Sequence, residues 1–156
     1  MFTYTAHSEA DTERLGVALA EVLRPGMVIG LLGTLGAGKT RLVRAVACGL
    51  GVADIDVTSP TFVLLNQYLQ GTLPIYHFDA YRLRDDDEFL ELGPEEYFEA
   101  GGITFIEWAD RVLSCLPAER IEIKIDLQGE TDRQFAMSAT TVELEEVLMK
   151  LQKLLG

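Results

Sequence analysis

A glycine-rich octet, GTLGAGKT, occupies residues 33–40 and has the spacing of a phosphate-binding loop. The Walker A pattern G-x-x-x-x-G-K-[ST] is matched by Gly33, Gly38, Lys39 and Thr40. Glycines let successive backbone N–H groups point at phosphate oxygens, and a following helix adds the positive end of its dipole. Lys39 would neutralise the outer phosphates, and the Thr40 hydroxyl would complete the shell of a bound Mg²⁺. The octet therefore predicts a nucleotide site rather than a glycine turn without a ligand.

Two carboxylates, Asp79 and Glu107, each follow an apolar run of strand length, IYHF and ITFI. A magnesium-dependent NTPase needs an acidic group that faces the terminal phosphate. The carboxyl ends of parallel strands converge on the ligand crevice of such sheets, so both side chains are candidates. Glu107 could hold Mg²⁺ through water or orient the attacking water, and Asp79 could take the other role. The residues alone leave the two roles open.

Three further features lie close to these candidates in the sequence. The hydroxyls of Ser59-Pro60-Thr61 could sense the γ-phosphate and Mg²⁺, as switch loops do, although a plain Ser-Pro turn is the alternative. His77 is interpreted as a packed histidine or one that supports a neighbouring ligand, with a general base as the alternative. Trp108 is interpreted as a packing residue beside Glu107.

Helical and strand patterns alternate around these residues. Helices are predicted at 8–23, where Ser8 and Asp11 resemble a capping box, from Thr40 to about 50, within 85–99 and from about Thr141. Strands are predicted at 27–32, 102–108, 121–127 and 133–139, and a hairpin at 62–68 and 73–78. This order predicts an α/β fold: a single-domain P-loop NTPase with a mixed, mostly parallel sheet, a β-hairpin after the switch-like segment, and flanking helices.

Length and charge narrow the possible functions. We expect one domain over residues 1–156, with a core at 1–140 and a C-terminal helix at 141–156. The net charge of −12 argues against strong direct binding to nucleic acid, so a basic partner would hold any RNA.

The start of the chain lacks the pattern of a signal peptide, and no apolar run approaches the ~20 residues of a membrane span, so we expect a cytoplasmic protein. Cys48 and Cys115 are expected to be reduced, buried thiols.

Four motifs in this order, GTLGAGKT, SPTF, YHFDAYRL and FIEW, closely resemble the TsaE (formerly YjeE) family of small bacterial P-loop ATPases. The shared motifs run from the first helix to about Arg133. The resemblance implies a Mg²⁺-dependent ATPase that works in making threonylcarbamoyladenosine beside the anticodon of tRNAs that read ANN codons. It implies that the protein binds a TsaB–TsaD heterodimer and supports its repeated turnover, and that tRNA is reached only through these partners.

The resemblance also implies a set of site residues. Thr40 and Glu107 would hold Mg²⁺, Asp79 would serve hydrolysis together with Glu107 and Lys39, and residues 59–61 would form the switch-like segment. The residues implied to bind ATP are Gly33, Leu35, Gly36, Ala37, Gly38, Lys39, Thr40 and Arg41 of the loop, with Glu9 and Arg133 outside it.

Two positions depart from the family loop, which commonly reads GDLGAGKTT. Thr34 stands in place of the acid, and Arg41 follows Thr40. Neither change removes a phosphate or magnesium ligand, so ATP binding is still expected, whereas hydrolysis rate and partner contacts are open. The C-terminal helix either packs against the domain or docks a partner.

Two other functions fit the same loop. A small-molecule or nucleotide kinase would need an acceptor pocket and usually an arginine-rich lid, and the acidic segment DDDEFLELGPEE argues against a second phosphorylated substrate. A non-enzymatic, nucleotide-dependent binding module is the third hypothesis. The chain has no N-K-x-D guanine motif, which favours ATP over GTP.

Overall fold

The computed structural model describes residues 1–34, 36–53, 57 and 63–156. A seven-stranded sheet has the order β1-β7-β6-β2-β5-β4-β3. Its strands are β1 Phe2–Ala6, β2 Val28–Gly33, β3 Leu65–Tyr68, β4 Ile75–Asp79, β5 Ile103–Glu107, β6 Ile121–Gln128 and β7 Asp132–Ala139. The α-helices are α1 Glu9–Val22, α2 Lys39–Gly49, α3 Asp86–Glu91, α4 Pro94–Phe98 and α5 Val142–Leu155, and short 3₁₀ helices cover Ala109–Arg111 and Leu113–Cys115.

The sheet is parallel at its centre and antiparallel at both margins. Strand β2 pairs in parallel with β5 and β6, and β5 pairs in parallel with β4. The predicted hairpin is confirmed as the antiparallel pair β3–β4, and β6–β7–β1 form the other margin. Strands β4 and β5 are buried at every position, as apolar runs in the middle of a covered sheet should be. The predicted α/β class with a mixed sheet is therefore confirmed.

Both faces of the sheet are covered by apolar packing. Adjacent strand residues point to opposite faces, so that Ile29 joins the core under α1, α2 and α5 while Val28 joins the core under α3 and α4. On the first face α1 and α2 approach so closely that a Cβ on Gly16 would lie 2.2 Å from the Cβ of Ala45. Only glycine fits at position 16, because the backbone of α2 at Ala45 and Val46 lies directly against it.

Helix α1 begins with the predicted capping interaction. The Ser8 hydroxyl accepts a hydrogen bond from the Asp11 N–H at 3.2 Å, and the Asp11 carboxylate accepts one from the His7 N–H at 2.9 Å. The return bond thus reaches one residue further back than in the usual box. Pro94 occupies the first turn of α4, as expected from its sequence position.

The sequence patterns miss strand β1 and mislead about the burial of both thiols. Strand β1 alternates between half-exposed and exposed residues up to the buried Ala6 and depends on pairing with β7, so its local pattern is weak. Cys48 is exposed, because the apolar stripe of α2 turns its side chain outward, and Cys115 is only half-buried. Within the described ranges, the helices include none that is both long and apolar enough to span a membrane.

Candidate active site

The glycine-rich loop leads from the end of β2 at Gly33 to the start of α2 at Lys39. Gly36 has φ 79° and Gly38 has φ 110°, in the left-handed region that side chains disfavour. A Cβ on Gly38 would also lie 3.2 Å from the Arg133 Nε. The glycine spacing of the motif is therefore required by the backbone path and by the approach of Arg133.

Lys39 is almost fully buried and folds back onto its own loop. Its Nζ donates hydrogen bonds to the carbonyls of Gly33 at 2.7 Å and Thr34 at 2.9 Å, and lies 4.0 Å from the centroid of the Trp108 ring. Burial lowers the pKa of Lys39, and the negative charge of Glu107 is the largest influence opposing that shift. An ammonium group stripped of water and held by neutral carbonyls is well suited to exchange them for an anion.

The two carboxylates lie side by side on neighbouring strands. Asp79 and Glu107 are register partners in the parallel pair β4–β5, and both are buried. Glu107 Oε2 accepts a hydrogen bond from the Thr40 hydroxyl at 2.7 Å, which ties β5 to the first turn of α2. Asp79 Oδ1 accepts the backbone N–H of Tyr81 at 2.8 Å. The two carboxylates thus have different contacts among the described residues, since Glu107 is bonded to Thr40 of the loop motif and Asp79 to the backbone of Tyr81.

His77 is fully buried behind Glu107. Its Nε2 lies 2.5 Å from Glu107 Oε2, and its Nδ1 lies 3.3 Å from the Tyr68 hydroxyl. This placement agrees with the interpretation of His77 as a packed histidine that supports a neighbour.

These groups surround a cleft of about 320 Å³. Most of the expected site residues lie on its wall. The lining comprises Gly36, Gly38, Lys39, Thr40, Arg41, Arg44, Asp79, Tyr81, Glu107, Trp108 and Arg133. Gly33 and Ala37 contribute through their carbonyls instead. The Gly33 carbonyl accepts a hydrogen bond from Lys39 Nζ, and the Ala37 carbonyl accepts one from Arg133 Nε at 3.0 Å.

Glu9 lies beside this cleft rather than in it. Its carboxylate pairs with Arg41 Nη1 at 2.6 Å, and both residues border an adjacent cavity of about 360 Å³ together with Arg133. The two cavities share Arg41 and Arg133, so the residues expected at the nucleotide occupy one continuous region of the surface. Leu35 and the switch-like Ser59, Pro60 and Thr61 lie outside the described residues.

Three cleft residues were not expected there from the sequence: Arg44, Tyr81 and Trp108. Arg44 lies four positions after Thr40 on α2 and hence on the same helix face, a signal that could have found it. Tyr81 lies two positions after Asp79, and Trp108 lies one position after Glu107. The centroids of the two rings are 4.8 Å apart. Trp108 therefore packs beside Glu107, as interpreted, and also forms cleft wall.

The donor atoms at Thr40 and Glu107 suit a hard cation. One is a hydroxyl and the other a carboxylate, the oxygen types that Mg²⁺ prefers. A hydroxyl that donates its hydrogen to Glu107 keeps oxygen lone pairs for a cation. Across the described residues there is no group of three or more His, Cys, Asp or Glu side chains that could hold a metal. Mg²⁺ usually keeps several waters and takes further ligands from substrate phosphates, so the Thr40 hydroxyl and the Glu107 carboxylate fit this cation.

Residues 6–135 match the family model described as "Threonylcarbamoyl adenosine biosynthesis protein TsaE". The chain belongs to the TsaE family. The matched segment contains the loop, both carboxylates and Arg133, so the family resemblance expected from the four motifs is confirmed.

Named relatives and a solved structure agree with this TsaE membership. The "tRNA threonylcarbamoyladenosine biosynthesis protein TsaE" of Bacillus subtilis (strain 168) is 38% identical over 143 residues, which cover 92% of this chain and 89% of the relative. The protein of the same description from Treponema pallidum (strain Nichols) is 38% identical over 133 residues, covering 85% and 97%. A crystal structure of YdiB from Bacillus subtilis superimposes with a TM-score of 0.82 at 32% identity, covering 97% of this chain and 94% of YdiB. The TsaE family takes part in tRNA threonylcarbamoyladenosine biosynthesis.

Proposed function

We propose that this chain is a Mg²⁺-dependent ATPase that binds a TsaB–TsaD heterodimer and supports its turnover in forming threonylcarbamoyladenosine beside the anticodon of ANN-reading tRNAs. The observation that carries the proposal is the 2.7 Å hydrogen bond from the Thr40 hydroxyl to Glu107. It joins the last residue of a phosphate-loop motif to a strand-end carboxylate, the pairing that a nucleotide-bound magnesium ion requires.

Each part of the cleft has a role in this proposal. The loop amides from Gly36 to Thr40 and the amino end of α2 bind the phosphates of ATP, and Lys39 exchanges its two carbonyl partners for phosphate oxygens. Mg²⁺, held by Thr40 and Glu107, would offset charge on the phosphates during transfer to water. Asp79, whose carboxylate lines the cleft beside Glu107, orients the attacking water.

Residues at the edge of the cleft would complete the nucleotide site. Arg133 bonds to the Ala37 carbonyl of the loop, and in this proposal its guanidinium contacts the phosphates. The pair Glu9–Arg41 borders the adjacent cavity, where the rest of the nucleotide would extend. The net charge of −12 favours a division of labour in which partner proteins contact the tRNA. A role in a pathway that modifies tRNA is also consistent with a location in the cytoplasm.

The direct test is ATP hydrolysis by the purified chain, alone and with TsaB–TsaD, in Mg²⁺ and in EDTA. We expect weak Mg²⁺-dependent turnover that rises when the partners are added. Phosphate transfer to an added small-molecule acceptor would favour a kinase instead. Tight ATP binding without turnover in any condition would leave a nucleotide-dependent binding module and refute the ATPase proposal.

Trp108 should report nucleotide binding through its fluorescence. It is the only tryptophan in the chain, and its ring lies 4.0 Å from the Lys39 Nζ. When Lys39 turns toward phosphate oxygens, the charge next to the indole moves, and the emission should change until the site is saturated. The measurement is a titration of the emission spectrum with ATP and, separately, with adenosine.

The controls for this titration are Trp108→Phe, which should lose the signal, and adenosine, which lacks phosphates and should leave the spectrum unchanged. An unchanged spectrum at ATP concentrations where calorimetry detects binding would mean that Lys39 keeps its present contacts in the complex.

A further inference from the structure

A series of hydrogen bonds extends from Glu107 into the protein, away from the cleft. His77 Nε2 lies 2.5 Å from Glu107 Oε2, and His77 Nδ1 lies 3.3 Å from the Tyr68 hydroxyl. The Asn66 amide nitrogen lies 3.4 Å from the same hydroxyl. His77 itself is fully buried, and it reaches the wall of the cleft through its bond to Glu107.

The donors in this series can all point toward the carboxylate. A carboxylate only accepts hydrogen bonds, so the His77 Nε2–H donates to Glu107. The Nδ1 of that imidazole tautomer is an acceptor, and the Tyr68 hydroxyl can donate to it. The Asn66 amide can then donate to the Tyr68 oxygen. In this tautomer His77 donates to Glu107 and accepts from the Tyr68 hydroxyl, so both of its ring nitrogens are bonded.

His77 is a buried polar residue with both apolar and polar neighbours. On its face of β4 it lies between Ile75 and Asp79, and its register partners are Asn66 on β3 and Phe105 on β5. Burying an imidazole costs free energy unless its nitrogens are bonded, so an aliphatic or phenyl side chain would fill this position at lower cost. The choice of histidine is explained by what it bonds to.

Glu107 Oε2 receives two donors from different elements, the Thr40 hydroxyl from α2 and the His77 imidazole from β4. Its other oxygen, Oε1, takes part in neither bond. We propose, building on the proposed ATPase function, that His77 is a positioning residue that fixes the Glu107 carboxylate so that Oε1 faces the magnesium position. Without it, Glu107 keeps only the Thr40 bond and regains rotational freedom that cation binding must remove.

The test compares nucleotide binding with and without the metal. The dissociation constant of a non-hydrolysable ATP analogue is measured by calorimetry in Mg²⁺ and in EDTA, for the unaltered chain, His77→Phe, His77→Gln and His77→Asn. In His77→Phe, the Mg²⁺-dependent gain in affinity should fall roughly ten- to a hundred-fold, the range for groups that orient metal ligands. Binding in EDTA should stay within twofold of the unaltered chain.

The two amide variants separate positioning from packing. A glutamine amide nitrogen reaches about as far as His77 Nε2 and can donate to Glu107, whereas an asparagine amide reaches only as far as Nδ1. His77→Gln should therefore restore most of the Mg²⁺-dependent gain and His77→Asn should not. Circular dichroism checks that each variant is folded, and the Gln–Asn comparison decides the question even where His77→Phe is unstable.

Equal Mg²⁺-dependent gains in the Gln, Asn and unaltered proteins would overturn the positioning role and leave His77 as a core residue. That outcome would not affect the proposed ATPase function, since the unaltered chain would still bind Mg²⁺ and the analogue together. Failure of the unaltered chain to gain any affinity from Mg²⁺ would instead refute the proposed function, and the role of His77 with it.

Discussion

Glu107→Ala is expected to lower ATP turnover by on the order of a hundred- to a thousand-fold, the usual cost of removing one charge-stabilising group from an active site. Glu107 is the only one of the two strand-end carboxylates that bonds to Thr40 in the described structure. Its loss would remove the group that holds Mg²⁺ beside the loop while the phosphate-binding amides stay in place. Binding of ATP in EDTA should therefore change little, and the stimulation by Mg²⁺ should disappear.

Two further variants test this expectation. Glu107→Gln keeps the size of the side chain and an oxygen that can accept from Thr40, so a similar loss of turnover would assign the effect to the negative charge. Glu119→Ala removes an exposed carboxylate elsewhere on the surface and should leave turnover unchanged. Turnover in Glu107→Ala within threefold of the unaltered chain would show that another group holds the metal, with Asp79 the first candidate.

Lys39→Ala is expected to weaken nucleotide binding and to lower turnover together. Lys39 is the cation closest to the loop carbonyls, and burial has already removed most of its water. Its interaction with phosphate oxygens therefore takes place where charges are weakly screened. We expect turnover to fall by on the order of a hundred- to a thousand-fold, and the affinity for ATP to fall in EDTA as well as in Mg²⁺.

This pattern separates the two variants, because Glu107→Ala should keep its affinity in EDTA and Lys39→Ala should not. Lys150→Ala, at an exposed position of α5, is the matched control for a lost positive charge. Circular dichroism confirms that each variant is folded. ATP binding that is unimpaired in Lys39→Ala would mean that the loop does not hold phosphates in the expected way.

The loop and the two carboxylates could be predicted from the sequence because each chemical role demands one residue type at a fixed spacing. Gly38 is required by its positive φ, and Asp79 and Glu107 stand where buried strands end. The contact between Thr40 and Glu107 could not be predicted from the residues alone, since it depends on β5 pairing beside β2; the family resemblance was needed to place both at one Mg²⁺.

Trp108 shows a second limit of prediction. It adopts φ 59°, a left-handed conformation that is uncommon for a residue with a large side chain, and this turn directs its ring over Lys39. No local signal in FIEW marks such a backbone. Strand β1 was not predicted for a related reason. Its partner β7 lies near the other end of the chain, and the local sequence of β1 does not specify this pairing.

The bonds from Lys39 to the loop carbonyls compete with the binding of a phosphate by the same ammonium group. A protein whose lysine is bound to Gly33 and Thr34 must first enter a competent state, and the observed dissociation constant is the intrinsic one divided by the population of that state. If about one molecule in ten were competent, the observed affinity would be about tenfold weaker than the intrinsic one. Tyr81 contacts Trp108, whose ring lies over Lys39, so a change at Tyr81 can shift this population.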